Sequence, residues 1–311
     1  MERPVDVKNA TVLVTGGAGF IGSHTVDALV ERGARVVVVD NLSTGRRQNV
    51  NPRAKFYELN LADEAFTEVM NRERPDIVYH LAFYVLVPNS VENPLLDVDV
   101  IVGSIRLFQA AKGLGVRRIV IGSSGFLYGN AATLPCDERC PIDPASPYVV
   151  SKQAVENYAR FYRRAYGIPY VILRYAAIYG PRQRTGAMAD YIRKLASNEQ
   201  AEMWGDGSKT RDYVFVEDVV DANLLALAVR PDHPDPVFNI GTGVETTLND
   251  LYARIARILG KDPRPIYYPD RPGEQIRYCL DNTKAKKELG WQPRYQLDAG
   301  LRITVAGYRP D

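Results

Sequence analysis

Cysteine and histidine are scarce in this chain of 311 residues, three of each, and the six do not gather into a site. Cys136, Cys140 and Cys279 form neither an even set nor a Cys-x-x-Cys pair, so a disulfide framework and a zinc site are both poor readings. His24, His80 and His233 have no ligand spacing, and no metal is expected. No apolar run approaches the ~20 residues that a bilayer crossing needs, so no membrane partner is expected. Nor does one sign of charge dominate. There are 39 basic and 37 acidic side chains for a net +2, and the pairs Arg46-Arg47, Arg117-Arg118 and Arg163-Arg164 are too short to be a nucleic-acid tract. The start, Met1-Glu2-Arg3-Pro4-Val5-Asp6, has no signal-peptide h-region. The expectation is a cytoplasmic protein with small-molecule partners. No Ser/Gly-rich linker or internal repeat interrupts the chain.

What is present is the material of a large core, with 46% hydrophobic and 24% charged residues, enough for two domains. Short β-branched runs alternate with helical segments, as in parallel βαβ units. Thr11-Val12-Leu13-Val14 reads as a buried strand, followed by Thr15-Gly16-Gly17-Ala18-Gly19-Phe20-Ile21-Gly22 and an apolar helix through Val30. Gly16 and Gly17 permit angles closed to other residues, Gly19 lets a diphosphate approach the backbone, and Gly22 allows tight packing. The helix start then offers free N–H groups to an anion. A second strand, Arg35–Val39, ends at Asp40, ~20 residues beyond the glycines, where an acid accepts from a ribose 2′-hydroxyl. Asp40 favours NAD because it would repel a 2′-phosphate. Arg46 and Arg47 keep NADP open, although surface arginines are the plainer reading.

Further strands are expected at Lys55–Leu59, Asp76–Leu81 and Arg118–Ile121, with a helix from about Leu95 to Lys112. Ser124 follows the last of these strands, at the carboxyl end where such sheets bind ligand. A second helix is well marked. Ser146 is a good N-cap, Pro147 suits the first turn, apolar spacing runs through Val150, Ala154, Val155, Tyr158, Phe161 and Tyr162, and Gly167 ends it. Tyr148 and Lys152 therefore share a face. A free phenol ionises near pH ~10, so Tyr148 needs a fixed cation to serve as a base, and Lys152 is placed to supply it.

These segments resemble a family. TGGAGFIGSH, DNLSTG, HLA, SSGFLYG, SPYVVSK, LRYAAIYGPRQ, WGDGSKTRDYVFVEDV, FNIGTG, RPGE and ELGW follow the order of the extended short-chain dehydrogenase/reductases. Within that group the chain is most similar to the NAD-dependent nucleotide-sugar epimerase/dehydratase family, UDP-glucose 4-epimerases in particular, from about residue 10 to 305. The resemblance implies an α/β fold, a Rossmann-type doubly wound parallel sheet with a smaller C-terminal α/β substrate domain. Residues 1–180, with returning segments at about 212–242, would form the NAD-binding domain. Residues 181–211 and 243–311 would bind the nucleotide sugar. It implies Tyr148 as catalytic base, Lys152 as the group that binds the nicotinamide ribose and depresses the Tyr148 pKa, and Ser124 as the hydrogen-bond partner of the sugar hydroxyl. Gly16, Gly19, Phe20, Ile21 and Gly22 would hold the NAD diphosphate, with Asp40, Asn41, Ser43, Thr44 and Gly45 on the adenosine side. Asn60 and Leu61 would meet the adenine, Leu81 and Ala82 the middle of the cofactor, and Tyr175 the nicotinamide end. Arg211 and Arg271 would hold the substrate diphosphate through planar guanidinium forks, and Glu274 its ribose. Trp204 reads first as core, with a place beside the nucleotide base as the alternative.

The expected activity is UDP-hexose 4-epimerisation through a 4-keto sugar, on UDP-glucose and UDP-galactose or their N-acetyl forms, by a homodimer built on the helices at about 95–112 and 146–166. Arg184, in a stretch shared with UDP-glucuronate 4-epimerases, makes UDP-glucuronate the second substrate. Gly125 and Phe126 replace the acid pair of related 4,6-dehydratases, and neither moves a proton. Three further departures stand out. Phe83, followed by Tyr84, replaces a small residue, Val100 a common asparagine, and Ala177 another. They keep a weakly active or non-catalytic NAD-binding paralogue open, as well as a reductase of the same fold.

Overall fold

Five consecutive buried residues, Thr-Val-Leu-Val-Thr, form the first strand, β1 (Thr11–Thr15). In the computed structural model, which describes residues 7–83, 87–261, 264–270 and 275–308, this strand lies deep in a seven-stranded parallel sheet. The chain then runs through α1 (Phe20–Glu31), β2 (Arg35–Asp40), β3 (Lys55–Glu58), α2 (Ala65–Glu73), β4 (Ile77–His80), α3 (Val87–Glu92) and α4 (Val98–Ala111). Next come β5 (Arg118–Ser124), α5 (Pro147–Tyr166) and β6 (Tyr170–Tyr175). The sheet is completed from far along the chain by β10 (Val237–Ile240), which pairs parallel with β6. Strand order is β10-β6-β5-β4-β1-β2-β3. The order reverses between β1 and β4, and the crevice outside their carboxyl ends is where such a sheet takes a ligand.

Alternation along each strand divides the core. Val12 and Val14 point into one layer with Val26, Leu29 and Val219, whereas Leu13 joins Val37, Val39 and Phe108 in the other. With both faces covered, the strands need no polar side, and this is why they read as continuous apolar runs.

The remaining elements are β7 (Ala177–Tyr179), α6 (Ala187–Ala196), β8 (Glu202–Trp204), β9 (Thr210–Phe215) and α7 (Val216–Leu225), then β11 (Glu245–Thr247), α8 (Leu248–Leu259), β12 (Ile266–Tyr268) and α9 (Leu297–Gly307). They form a three-stranded sheet, β11-β9-β7, and a parallel pair, β12-β8. A third core holds them, including Tyr191, Met203, Phe215, Leu251 and Tyr252. Helix α7 packs instead against α1, on the large sheet.

The expected α5 appears with its punctuation. Ser146 Oγ accepts from Val149 N at 3.4 Å, Pro147 opens the helix, and Gly167 closes it at φ 69°. The helix expected from Leu95 starts later, because Pro94–Asp97 forms a 3-10 turn whose Asn93 side chain accepts from Leu95 N. Strand β5 runs three residues further than expected, so Ser124 is its last residue, in register with Tyr175. A rigid strand thus aims this hydroxyl, not a loop. The cysteine expectation is overturned. A turn in which Cys140 N donates to Asp137 O brings the Cys136 and Cys140 Cα atoms to 6.0 Å, and their sulfurs are bonded. Counting cysteines missed a local pair four residues apart.

Candidate active site

A cavity of about 1220 Å³ opens at the carboxyl ends of the large sheet and extends under β8 and β9. One end is built by the glycine turn. Gly16 has φ +70°, and a Cβ there would lie 2.8 Å from the backbone of Ala82 and Leu81, so the turn packs directly against the end of β4. At Gly22 a Cβ would lie 2.0 Å from the Gly16 carbonyl oxygen. The glycine therefore lets α1 begin against the turn itself, a closer constraint than the expected packing on the sheet. Gly17 has no positive φ but touches Val38, so its need is space and not angle. No side chain caps α1 and no acid stands in its first turn. Its first N–H groups therefore face the cavity with the positive end of the helix dipole.

Asp40 closes this end. Its Oδ2 accepts from Ala18 N at 3.0 Å and its Oδ1 from Leu42 N at 2.8 Å. Burial pushes its carboxyl up, and N–H groups of Leu42, Ala18 and Gly19 pull it back. Asn41, Ser43 and Thr44 continue the wall, while Gly45 lies behind Asp40, where a Cβ would come 2.8 Å from Oδ1. Arg47 stacks its guanidinium on Phe56 at 4.2 Å. Asn60, Leu61, Leu81 and Ala82 border the middle. These groups fit a dinucleotide: an anion cradle, an acid for a ribose, and apolar walls between.

The sheet centre brings together Ser124, Tyr148 and Lys152. Tyr148 is 7% exposed and hydrogen-bonds to Ser124. Its phenol is pushed up to about 12 by burial, against the Ser124 hydrogen bond, with Asp97 adding to the rise. Lys152 is buried as well, and its Nζ donates to the Gly122 carbonyl at 2.6 Å. Burial drives this amine well below its ordinary value, and the Glu156 carboxylate opposes that. The expected lowering of the Tyr148 pKa by Lys152 is thus not seen. Desolvation is the largest influence on each of the two groups, and it disfavours the charged form of both.

Several supporting residues were not singled out in the sequence. Glu156, one turn beyond Lys152, accepts from Arg174 at 2.7 and 3.0 Å and from Ser123 at 2.7 Å. Its i+4 spacing from Lys152 was the available signal. Asp97 accepts from Ser151 at 3.1 Å, across elements that only folding joins. His80 is locked: Thr15 Oγ1 accepts from Leu81 N and Ala82 N and so donates to Nδ1 at 2.9 Å, leaving Nε2–H for Ser104 at 2.8 Å. Burial and then the Lys152 charge push this imidazole down to about 3, so it is neutral.

Tyr175 also borders the cavity, with its hydroxyl committed to Asn223 Oδ1 at 2.6 Å. At the far end stand Arg211, which donates to the Thr210 and Gln275 carbonyls at 2.7 and 3.0 Å, and Trp204. Trp204 lines the cavity and stacks on Tyr268 at 5.1 Å, so the core reading of this residue gives way. Arg184 lines it too, and burial followed by the charge of Arg46 lowers its pKa. Arg46 belongs to the loop after β2, so Arg184 lies within reach of the Asp40 end. Arg271 and Glu274, as well as Tyr84, fall outside the described residues.

Residues 12–241 match the NAD dependent epimerase/dehydratase family. A putative UDP-glucose 4-epimerase of Methanocaldococcus jannaschii is 42% identical over 94% of this chain and 97% of its own. The crystal structure of UDP-glucose 4-epimerase from Thermotoga maritima with UDP-glucose superposes with a TM-score of 0.92 at 42% identity, covering 96% of this chain and 98% of that one. The Thermus thermophilus UDP-glucose 4-epimerase complex with NAD gives 0.90 at 36% identity, again over 96% and 98%. A doubly wound sheet, a glycine turn at its switch point and a serine, tyrosine and lysine around one cavity agree with those likenesses, and the chain belongs to the NAD dependent epimerase/dehydratase family.

Proposed function

We propose that this protein is an NAD-dependent UDP-hexose 4-epimerase. The observation that carries the reading is the single cavity running from the glycine turn and Asp40, past Ser124, Tyr148 and Lys152, to Arg211 and Trp204. It has room for a dinucleotide and a nucleotide sugar end to end, with the reacting groups where the two meet.

The nicotinamide of bound NAD supplies the acceptor, and later the donor, of the sugar C4 hydride. Tyr148 takes the proton of the C4 hydroxyl and returns it after the 4-keto sugar has turned over. Ser124, aimed by β5, hydrogen-bonds the same oxygen and steadies the phenolate. Lys152 binds the nicotinamide ribose and counters the negative charge that burial disfavours on Tyr148. Gly16, Gly19, Phe20, Ile21 and Gly22 hold the diphosphate of the cofactor, Asp40 and its loop the adenosine side, and Arg211 the diphosphate of the substrate.

Epimerisation is favoured over dehydration by position 125. A Cβ there would lie 2.2 Å from the Tyr278 hydroxyl, and Phe126 packs on Tyr278 at 4.9 Å. An acid at either place would displace that contact. UDP-glucose and UDP-galactose, or their N-acetyl forms, are the first substrates. UDP-glucuronate comes second, with Arg184 in the cavity lining as the cation that a sugar carboxylate would meet. We assign a homodimer to the outer faces of α4 and α5, where Val98, Val102, Val150 and Phe161 are exposed with no covering element among the described residues. No described helix is long and apolar enough to cross a membrane, and the cytoplasm and carbohydrate metabolism are the proposed setting.

The test is nuclear magnetic resonance of purified protein with NAD and each UDP sugar. Interconversion of a C4-epimeric pair without net NAD consumption, and with C4 deuterium retained in ordinary water, is expected. Washout of the label, or stoichiometric cofactor consumption, would overturn the assignment.

A further inference from the structure

Phe83 stands just past the end of β4, and its ring lies against the Lys152 ammonium opposite a backbone carbonyl. The Lys152 Nζ is 3.1 Å from the Phe83 ring centroid and 2.6 Å from the Gly122 oxygen. We propose that the ring face of Phe83 holds the Lys152 ammonium in place, making it a positioning residue for the Tyr148–Lys152 pair. The proposal rests on the assignment of those two residues as the reacting pair.

The surroundings leave this task to an aromatic face. Lys152 is 4% exposed, so water does little to solvate its charge. The carboxylate on its helix that acts on it, Glu156, is already engaged by Arg174, Arg160 and Ser123. Asp97 is taken up by Ser90 and Ser151, and Asp99 by Asn60 at 2.9 Å. The Tyr148 ring is further off, 5.7 Å from Nζ, and the Tyr175 hydroxyl is bound to Asn223. A cation loses its hydration when buried, and the negative face of an arene restores part of that stabilisation with no polar atom to desolvate in turn.

Phe83 is itself supported from β4. Its ring packs on His80 at 4.9 Å, and Thr15 and Ser104 hold that imidazole in one neutral tautomer. A charged imidazole would draw on the same ring and repel Lys152. The chain from Thr15 through His80 to Phe83 thus presents one arene face to one cation.

Loss of the ring face has a definite sign. Without it Lys152 gives up its proton at lower pH, and Tyr148, losing its neighbouring cation, gives up its own at higher pH. Burial already places the Lys152 ionisation below that of Tyr148, so the two move further apart and the fraction of protein that holds a phenolate beside a charged lysine falls. The experiment measures kcat/KM against pH for the wild type, Phe83→Leu and Phe83→Tyr, each with bound NAD. Ionisation of Tyr148 is read separately by near-ultraviolet difference titration against Tyr148→Phe and its double variant with Phe83→Leu.

Phe83→Leu, which keeps volume and apolarity, is expected to move the two limbs apart by roughly half a pH unit or more on each side, to lower the plateau between them and to move the Tyr148 titration upward. Phe83→Tyr, which keeps the ring, is expected to retain the wild-type limbs. A Phe83→Leu profile that differs from wild type only by a constant factor would overturn the proposal, as would equal separation of the limbs in both variants. If no UDP sugar is turned over at all, the parent assignment fails, and the Tyr148 titration still decides whether the ring acts on the pair.

Discussion

Replacing Glu156 by glutamine removes one negative charge from a fully enclosed ion pair, and the consequence follows from its partners. Glu156 is wholly buried, and Arg174 opposite it is 3% exposed. Arg174 Nε and Nη2 donate to the two carboxylate oxygens at 3.0 and 2.7 Å, while Ser123 and Arg160 donate at 2.7 and 3.0 Å. Arg174 Nη1 reaches the Tyr128 hydroxyl at 2.8 Å, and Tyr128 donates to Asn239 at 2.8 Å. The network ties α5 to β5, β6 and β10. Glutamine keeps the shape but leaves Arg174 buried without a counter-charge, which costs about 3–5 kcal/mol, a large part of the ~5–15 kcal/mol that holds an ordinary domain. Urea unfolding at pH 7 measures it.

Replacing both Glu156 and Arg174 by methionine is expected to cost less than Glu156→Gln alone, because no charge is then stranded. The pH dependence has a fixed sign. Burial acts to raise the Glu156 carboxyl, but the Arg174 hydrogen bond and charge, then Arg160 and Ser123, hold it below the usual value. A lowered folded-state pKa stabilises above the unfolded value of ~4.3 and loses that contribution as pH falls through the folded one. The gap between wild type and Glu156→Gln should therefore close on acidification below that point. A cost under about 1 kcal/mol at pH 7, or a gap that stays constant into acid, would refute the reasoning, since a stranded buried charge costs well above that.

Tyr148→Phe is expected to lower kcat by about 10²–10⁴-fold while NAD binding, followed by fluorescence, stays within a few-fold. Gly22→Ala places a Cβ 2.0 Å from the Gly16 carbonyl oxygen, so the turn must open, and weakened NAD affinity by titration is the expected result. Phe161→Glu, on the exposed face of α5, should shift a dimer to monomer in sedimentation without unfolding it.

The parts of this protein that could be read from sequence are those specified by near neighbours. Ser146, Pro147 and Gly167 mark α5 because capping is local chemistry, and the 3.6-residue period then puts Tyr148 and Lys152 on one face whatever surrounds them. The glycine turn and Asp40 follow from a strand, a turn and a helix in succession. Folding decided the rest. It joined β10 to β6, brought Asp97 and His80 around the tyrosine and lysine from separate elements, and set Ser123 and Arg174 of the sheet against Glu156 on their own helix. It also set the ring of Phe83 against the lysine amine. Spacing along the chain thus determined which groups stand together as the candidates for the chemistry. Their protonation was decided by tertiary burial, because desolvation depends on everything packed within a few ångströms, and that packing comes from segments far apart in the chain.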